Sequence, residues 1–416
     1  MEKSAKSKKR LQTAKELPLI IADYYRECHE AKMENRPVGW MPPMNGGIEL
    51  FYAMSLQPVF PENWSPVCAA FGLTHKNFAV CENMGYSRDL CGYLRNIIGY
   101  VNGMMDGPEI PLGGLPEPDI ILTPQGGCSP VMKIFQALER RFPRAKVFRG
   151  DSPQVAIENI TRHHIDYAVG EMKRLVEFLA EATGHKLDMD RLKEVVRLSD
   201  RACELWDEIM SFRRFIPTPI SASEIGIMFV MVTRQGTQKA VDYLVRVRDE
   251  LKERSEQGIG ILADEKIRLF WDNIPLWYNM GLFNYFEKMG GVVVAETYSA
   301  AWSLRLDADN PMESLAMKTL TSYPLVSCVS IKKRKEMVLK ACREYSIDGA
   351  ILHRNRSCVP ITLGQMDIRR ELEQEGIPSL IIDADHMDDR NFSTAQFQTR
   401  ADAFMEMLLS KKKGSL

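Results

Sequence analysis

Cys128 and Cys358 occupy the same place in a stretch that occurs twice. The first copy is Asp119-Ile-Ile-Leu-Thr-Pro-Gln-Gly-Gly-Cys-Ser-Pro130 and the second is Gly349-Ala-Ile-Leu-His-Arg-Asn-Arg-Ser-Cys-Val-Pro360. In both, a short apolar run leads through polar residues to the cysteine, and a proline follows two positions later. A third thiol, Cys91, follows the turn Met84-Gly-Tyr-Ser87, whose serine is expected to cap a helix starting near Arg88. Cys91 then falls in a first helical turn, where N–H groups and the helix dipole favour a thiolate. Three thiolates converging on an iron–sulfur cluster leave one iron without a cysteine. Such an iron can act as a Lewis acid toward a substrate oxygen while the cluster passes single electrons. Spacing alone does not separate this chemistry from three thiols packed as small apolar side chains.

The elements that must position these thiols follow from the repeat. Each copy continues into a helix-like segment and a second apolar run, Lys146-Val-Phe148 in the first and Ser379-Leu-Ile-Ile382 in the second. Strand, turn, helix, strand is the βαβ unit, present twice. Proline fits the first turn of a helix, so each cysteine is expected where a parallel strand hands over to a helix. Ligands of open α/β sheets gather at the carboxyl ends of the strands. Two such units with thiols at that end predict two sheets facing one site. The fold class is therefore α/β, with two related doubly wound, flavodoxin- or Rossmann-like parallel-sheet domains and a helical section.

Periodicity places the remaining elements. Residues 11–35 carry a helical apolar face, and residues 1–35 are expected to form an N-terminal helical arm. The first α/β domain spans 36–154, with short strands at Pro37–Trp40 and Pro58–Phe60 and a loop rich in Gly and Pro over 102–118. Glu62, in Pro61-Glu-Asn63, is a carboxylate at a strand end; the residues alone leave open a solvated loop charge or a helix-start partner. Residues 155–260 read as a helical middle section, with Asp188 capping one helix and Gly184 ending another. The second α/β domain, 261–416, contains strands at Lys266–Trp271 and Gly291–Ala295. Cys28 and Cys203 fall on apolar helix stripes and are expected in the core.

Composition bounds what these domains do. The 416 residues exceed one ordinary domain. The formal net charge of −1, from 54 basic and 55 acidic residues, gives no electrostatic footprint for nucleic acid or an anionic membrane. No apolar run approaches a membrane span, and the basic stretch Met1–Arg10 lacks the apolar segment of a signal peptide, so a cytoplasmic location is expected. Nine cysteines, an odd number without any C-x-x-C, argue against a disulfide framework, a zinc ribbon or a ferredoxin-type run.

Several stretches together resemble the 2-hydroxyacyl-CoA dehydratase family, which includes the subunits of ATP-dependent benzoyl-CoA reductase. They are Arg36-Pro-Val-Gly-Trp40, Pro61-Glu-Asn63, Gly85-Tyr-Ser-Arg-Asp-Leu-Cys91-Gly-Tyr-Leu-Arg95, Gly127-Cys128, Asn355-Arg-Ser-Cys358 and Asp388-Asp-Arg390. The match runs from about residue 18 to residue 410, and the chain looks like the alpha-type subunit. The resemblance implies a [4Fe–4S] cluster held by Cys91, Cys128 and Cys358 with one open iron. It implies a homologous beta-type subunit as heterodimer partner and a separate ATP-dependent iron–sulfur activator. The implied reaction adds one electron to the thioester carbonyl of an acyl-CoA; the ketyl radical anion expels the 2-hydroxyl, and the electron then returns. Glu62 falls on the acidic residue that reaches the substrate, and Trp40 and Asn45 are taken as further substrate contacts. Family members usually carry a small hydroxyl residue after Val-Gly-Trp. Here Met41-Pro-Pro-Met44 precedes a shifted Asn45, so that contact is missing or moved. A benzoyl-CoA-reductase-type subunit and an electron-relay subunit without its own substrate are the competing readings.

Overall fold

The computed structural model describes residues 6–7, 10–43, 46–105, 110–123, 128–322 and 330–414. Among them, ten strands run in chain order: β1 (Lys6–Ser7), β2 (Val38–Trp40), β3 (Gln57–Val59), β4 (Ile120–Thr123), β5 (Lys146–Arg149), β6 (Ile259–Gly260), β7 (Ile267–Asp272), β8 (Gly291–Glu296), β9 (Gly349–Asn355) and β10 (Ser379–Ala384). Eight of them form two four-stranded parallel sheets, ordered β3-β2-β4-β5 and β10-β9-β7-β8. In the first sheet the order, numbered within the sheet, is 2-1-3-4; in the second it is 4-3-1-2, the same order read from the other edge. This is the flavodoxin-like arrangement, whose chain reverses direction across the sheet between its first and third strands. The internal repeat is therefore real at the level of topology, and the two sheets have equivalent switch points, β2/β4 and β7/β9.

The second sheet shows why its strands read as continuous apolar runs. Ile267, Leu269 and Trp271 pack into one cluster, whereas Phe270, Val292, Val294 and Leu352 pack into another on the opposite face. A parallel sheet covered by helices on both faces buries both sets of alternating side chains. The register matches the repeat: Gly39 and Trp40 stand opposite Ile120 and Ile121, and Trp271 and Asp272 opposite Ile351 and Leu352.

Three long helices dominate the middle section: Arg162–Thr183, Met189–Ser211 and Gln238–Glu256. Gly184, at φ 77°, closes the first, and the Asp188 carboxylate accepts the backbone N–H groups of Asp190 and Arg191 to open the second. The section shares one apolar core with the first sheet.

The expected N-terminal helical arm contains the helix Leu17–Met33, and two other expectations need correction. Tyr24, Tyr25 and Cys28 of the helix Leu17–Met33 are buried, and Tyr24 stacks edge-on with Phe229 of the middle section at 5.6 Å. The Glu250 carboxylate also accepts the Thr13 N–H at 2.9 Å. The helix expected near Arg88 begins at Gly92, because Ser87 closes a local turn onto the Asp89 N–H instead of capping a helix. The segment expected to be loop from 102 continues that helix as a wider turn to Met104.

Candidate active site between the two sheets

Each of the three predicted cysteines is the N-cap of a helix. Cys91 precedes Gly92–Gly99, Cys128 follows β4 and precedes Ser129–Arg141, and Cys358 follows β9 and precedes Val359–Thr362. Cys128 and Cys358 thus sit at equivalent positions beyond the third strand of each sheet, beside its switch point. Cys91 and Cys358 are buried, and Cys128 is partly exposed. The loops carrying Cys91 and Cys358 touch: the Gly92 N–H donates to Ser357 Oγ at 3.1 Å, across 265 positions of sequence. A Cβ at Gly92 would meet Met387 Cβ at 2.6 Å, so only glycine lets the start of this helix approach the loop after β10 so closely. Burial pushes the Cys91 thiol up to about 12, and the charge of nearby Cys128 adds to it, while the Leu94 and Tyr93 N–H groups pull the other way.

Cys91 and Cys128 are therefore within electrostatic reach of each other, and Cys358 belongs to the loop bonded to Gly92. Among the described residues no three His, Cys, Asp or Glu side chains are placed to hold a single metal ion. A multi-iron cluster spreads its ligands over separate irons and makes a different demand. The donor set suits such a cluster. Three thiols stand at helix starts, whose N–H groups favour anionic sulfur and at Cys91 partly offset the opposing effect of burial. Cys28 and Cys203, by contrast, are fully buried within helices, as expected.

The helix after Cys91 is locked to the second sheet by Arg95. Its guanidinium is fully buried, lies 2.9 Å from Asp388 Oδ2 in the loop after β10, donates to the Leu90 carbonyl and stacks 4.2 Å from the centre of the Phe78 ring. Arg390 joins the same group, 2.7 Å from both Asp388 and Glu82. Burial works to raise the Asp388 carboxyl, but hydrogen bonds from Arg390 and Arg95 outweigh it and hold it down at about 2.

Glu62 lies in the first turn of the helix Pro61–Ala70, directly after β3. It lines a cavity of about 170 Å³ bounded by its own helix, by Tyr93 two residues beyond Cys91, by Phe229 of the middle section, and by Trp277, Tyr298 and Trp302 of the second half. The three second-half rings run edge to face, with centres 5.7 Å and 6.3 Å apart. Trp277 Nε1 donates to the Tyr93 hydroxyl at 2.6 Å, tying this wall to the Cys91 helix. Glu62 Oε1 is buried without a hydrogen-bond partner among the described residues, and burial raises the carboxyl to about 7. An acid poised there can hold or release a proton near neutrality.

The other two predicted contacts fare differently. Trp40 is fully buried; its indole N–H donates to the Pro116 carbonyl at 2.9 Å and its ring packs edge-on against Phe142, so the side chain belongs to the core of the first sheet and not to this cavity. Asn45 lies outside the described residues. Sequence reasoning passed over Tyr93, Trp277 and Trp302 as binding residues. Their only signal was aromatic content near Cys91 and after β7 and β8, which core residues share.

Two flavodoxin-like parallel sheets with helices around them define an α/β doubly wound protein, in which a thiol follows the third strand of each sheet and a carboxyl lines a cavity walled by residues of both halves. The chain belongs to the 2-hydroxyglutaryl-CoA dehydratase, D-component, family, whose profile matches residues 46–408. It is 27% identical over 407 residues to the (R)-2-hydroxyisocaproyl-CoA dehydratase alpha subunit of Clostridioides difficile, covering 95% of each chain. It is 28% identical over 389 residues to the (R)-phenyllactyl-CoA dehydratase alpha subunit of Clostridium sporogenes, covering 92% of each. It is also 29% identical over 358 residues to one of the benzoyl-CoA reductase subunits of Thauera aromatica, covering 80% of each. No helix among the described residues is long and apolar enough to cross a membrane.

Proposed function

We propose that this chain is the alpha-type, iron–sulfur subunit of an (R)-2-hydroxyacyl-CoA dehydratase, which eliminates water from a 2-hydroxyacyl-CoA to give a 2-enoyl-CoA. The observation that carries the reading is the placement of Glu62, a carboxyl raised to about 7, in a cavity whose wall includes the residue two positions beyond Cys91. Family membership and the alpha-subunit names of two relatives support it.

Cys91, Cys128 and Cys358 would hold a [4Fe–4S] cluster, which supplies a single electron and an open iron of Lewis-acid character. The chain's own residues do the rest. The helix starts around the thiols offset the negative charge of sulfur. Arg95 and Asp388 hold the Cys91 helix against the second sheet. The aromatic wall excludes water from the acyl group, which strengthens every polar contact made there. Glu62, protonated at and below neutrality, presents its proton at Oε1 to the departing 2-hydroxyl, and its carboxylate can afterwards accept one. A homologous beta-type subunit completes a heterodimer, a separate ATP-hydrolysing activator delivers the electron, and the complex works in the cytoplasm.

One relative favours a second reading, a benzoyl-CoA-reductase-type subunit, in which electrons are consumed rather than recycled. Anaerobic co-purification with the partner and activator, followed by assay on 2-hydroxyacyl-CoA esters, decides between them. The dehydratase reading expects about four irons per chain and many turnovers per electron delivered. Stoichiometric electron consumption with an aromatic acyl-CoA supports the reductase. An iron-free chain with no turnover removes both.

A further inference from the structure

We propose that the cavity beside Glu62 receives the acyl side chain of the substrate, and that it selects an uncharged, apolar side chain of about benzyl or branched-alkyl size over a small or carboxylated one. The inference rests on the dehydratase reading and adds the class of acyl group to it.

The lining carries the argument. Among the described residues, no titratable group other than Glu62 and the tyrosines lines the cavity, and no lysine, arginine or histidine does. The walls include Tyr93, Met228, Phe229, Trp277, Tyr298 and Trp302, all contributing rings or a thioether. A carboxylated side chain entering this space would lose its hydration and meet Glu62 instead of a cation. Two acids sharing a desolvated site cannot both ionise, so such a ligand forces Glu62 to keep its proton and still leaves its own carboxylate desolvated with no cation beside it. An apolar side chain has no such cost and gains from burial in proportion to the area it removes from water.

Volume sets the size. About 170 Å³ is close to the roughly 150 Å³ of an engineered apolar cavity that stays dry and takes up benzene. A phenyl ring or a four-carbon branched group fills it. A methyl group leaves most of it empty, forgoing the contacts that make such a site selective.

The experiment uses the anaerobically purified complex with its partner and activator. Four esters are compared: 2-hydroxy-3-phenylpropionyl-, 2-hydroxy-4-methylpentanoyl-, 2-hydroxypropionyl- and 2-hydroxyglutaryl-CoA. In parallel, calorimetry measures binding of the unreactive 3-phenylpropionyl- and glutaryl-CoA to the same complex. The expected result is kcat/KM for at least one of the two bulky neutral esters about 100-fold above the glutaryl ester and about 10-fold above the propionyl ester. Phenylpropionyl-CoA should bind at least about 10-fold more tightly than glutaryl-CoA. The inference is overturned if the glutaryl or propionyl ester matches the best neutral bulky one. If no ester turns over, the dehydratase reading fails, and the binding comparison then decides the cavity's preference: equal affinities sink it, a neutral preference upholds it.

Discussion

Arg95 and Asp388 form a buried ion pair, 2.9 Å apart, that joins the helix after Cys91 to the loop after β10 across 293 positions of sequence. Both partners lie in stretches that carried the family resemblance, and the pair gives those stretches a physical reason. Removing Asp388 leaves the buried Arg95 guanidinium with only the longer carboxylate contacts to Glu82 at 3.4 Å and Asp385 at 3.8 Å, a loss on the order of 1–3 kcal/mol. Asp388→Ala should therefore lower the denaturant midpoint markedly and loosen iron retention, because the Cys91 helix loses its anchor. Asp388→Asn, which keeps a hydrogen-bond acceptor, should cost less. Because the Asp388 carboxyl is held down at about 2, its stabilising contribution is fully present above the ordinary aspartate range and is lost between about pH 4 and pH 2. Unfolding followed against pH in wild type and Asp388→Asn should show that difference shrinking as pH falls through the window.

Glu62 behaves with the opposite sign. Burial raises its carboxyl to about 7, so the folded chain keeps a proton there that the unfolded chain loses near the ordinary glutamate range. Stability contributed at this position therefore falls as pH rises from about 4.5 to 7. Glu62→Gln should be more stable than wild type at pH 8, by on the order of 1–3 kcal/mol, and indistinguishable at pH 4. Its turnover should drop by about 10²–10⁴-fold at pH 6.5, and the loss of rate expected of wild type above pH 7 should be absent. A pH–rate profile unchanged by the substitution would assign the proton to another group.

The thiols separate by place in the fold. Ser at Cys91, Cys128 or Cys358 should each abolish the broad absorbance near roughly 400 nm expected of the cluster, with iron per chain falling in step. Cys203→Ser should keep both. The fully buried Cys203 Sγ takes a hydrogen bond from Gln235 Nε2 at 3.0 Å, and a serine hydroxyl can accept the same bond. Iron analysis and visible spectra of the four variants check this.

Much of this architecture was readable from the chain because it depends on short-range chemistry. Apolar runs bounded by Gly and Pro gave the strands of both sheets, and Asp188 and Gly184 marked helix ends through local hydrogen bonds and a left-handed turn. The repeat around Cys128 and Cys358 revealed a shared topology because a proline and a cysteine punctuate the same strand-to-helix junction. What could not be read was long-range. Trp40 and Trp302 each follow a small residue, yet one donates to Pro116 in the core and the other faces a cavity. That outcome depends on which element packs opposite, and no local pattern encodes it. The start of the Cys91 helix was misplaced for a related reason: Ser87 satisfies a turn of its own, and the helix is held at Gly92 by Ser357, 265 positions away.

Trp302 offers a test in which affinity and stability move in opposite directions. Trp302 lines the cavity, and its Nε1 is buried with no hydrogen-bond partner among the described residues. An unpaired buried donor costs about 1–3 kcal/mol in the free protein. A substrate oxygen placed against it would recover that cost on binding. Trp302→Phe removes the donor while keeping a ring beside Tyr298. The variant should be at least as stable as wild type in thermal unfolding, because the unsatisfied group is gone. Its kcat/KM for the best acyl-CoA should fall by about 10–50-fold, the equivalent of one lost hydrogen bond to a polarised oxygen. If Trp302 only filled space, the smaller ring would instead lower the melting temperature through the void it leaves, with kcat/KM changing little. Measuring both quantities on one preparation distinguishes a donor to the substrate from a packing residue.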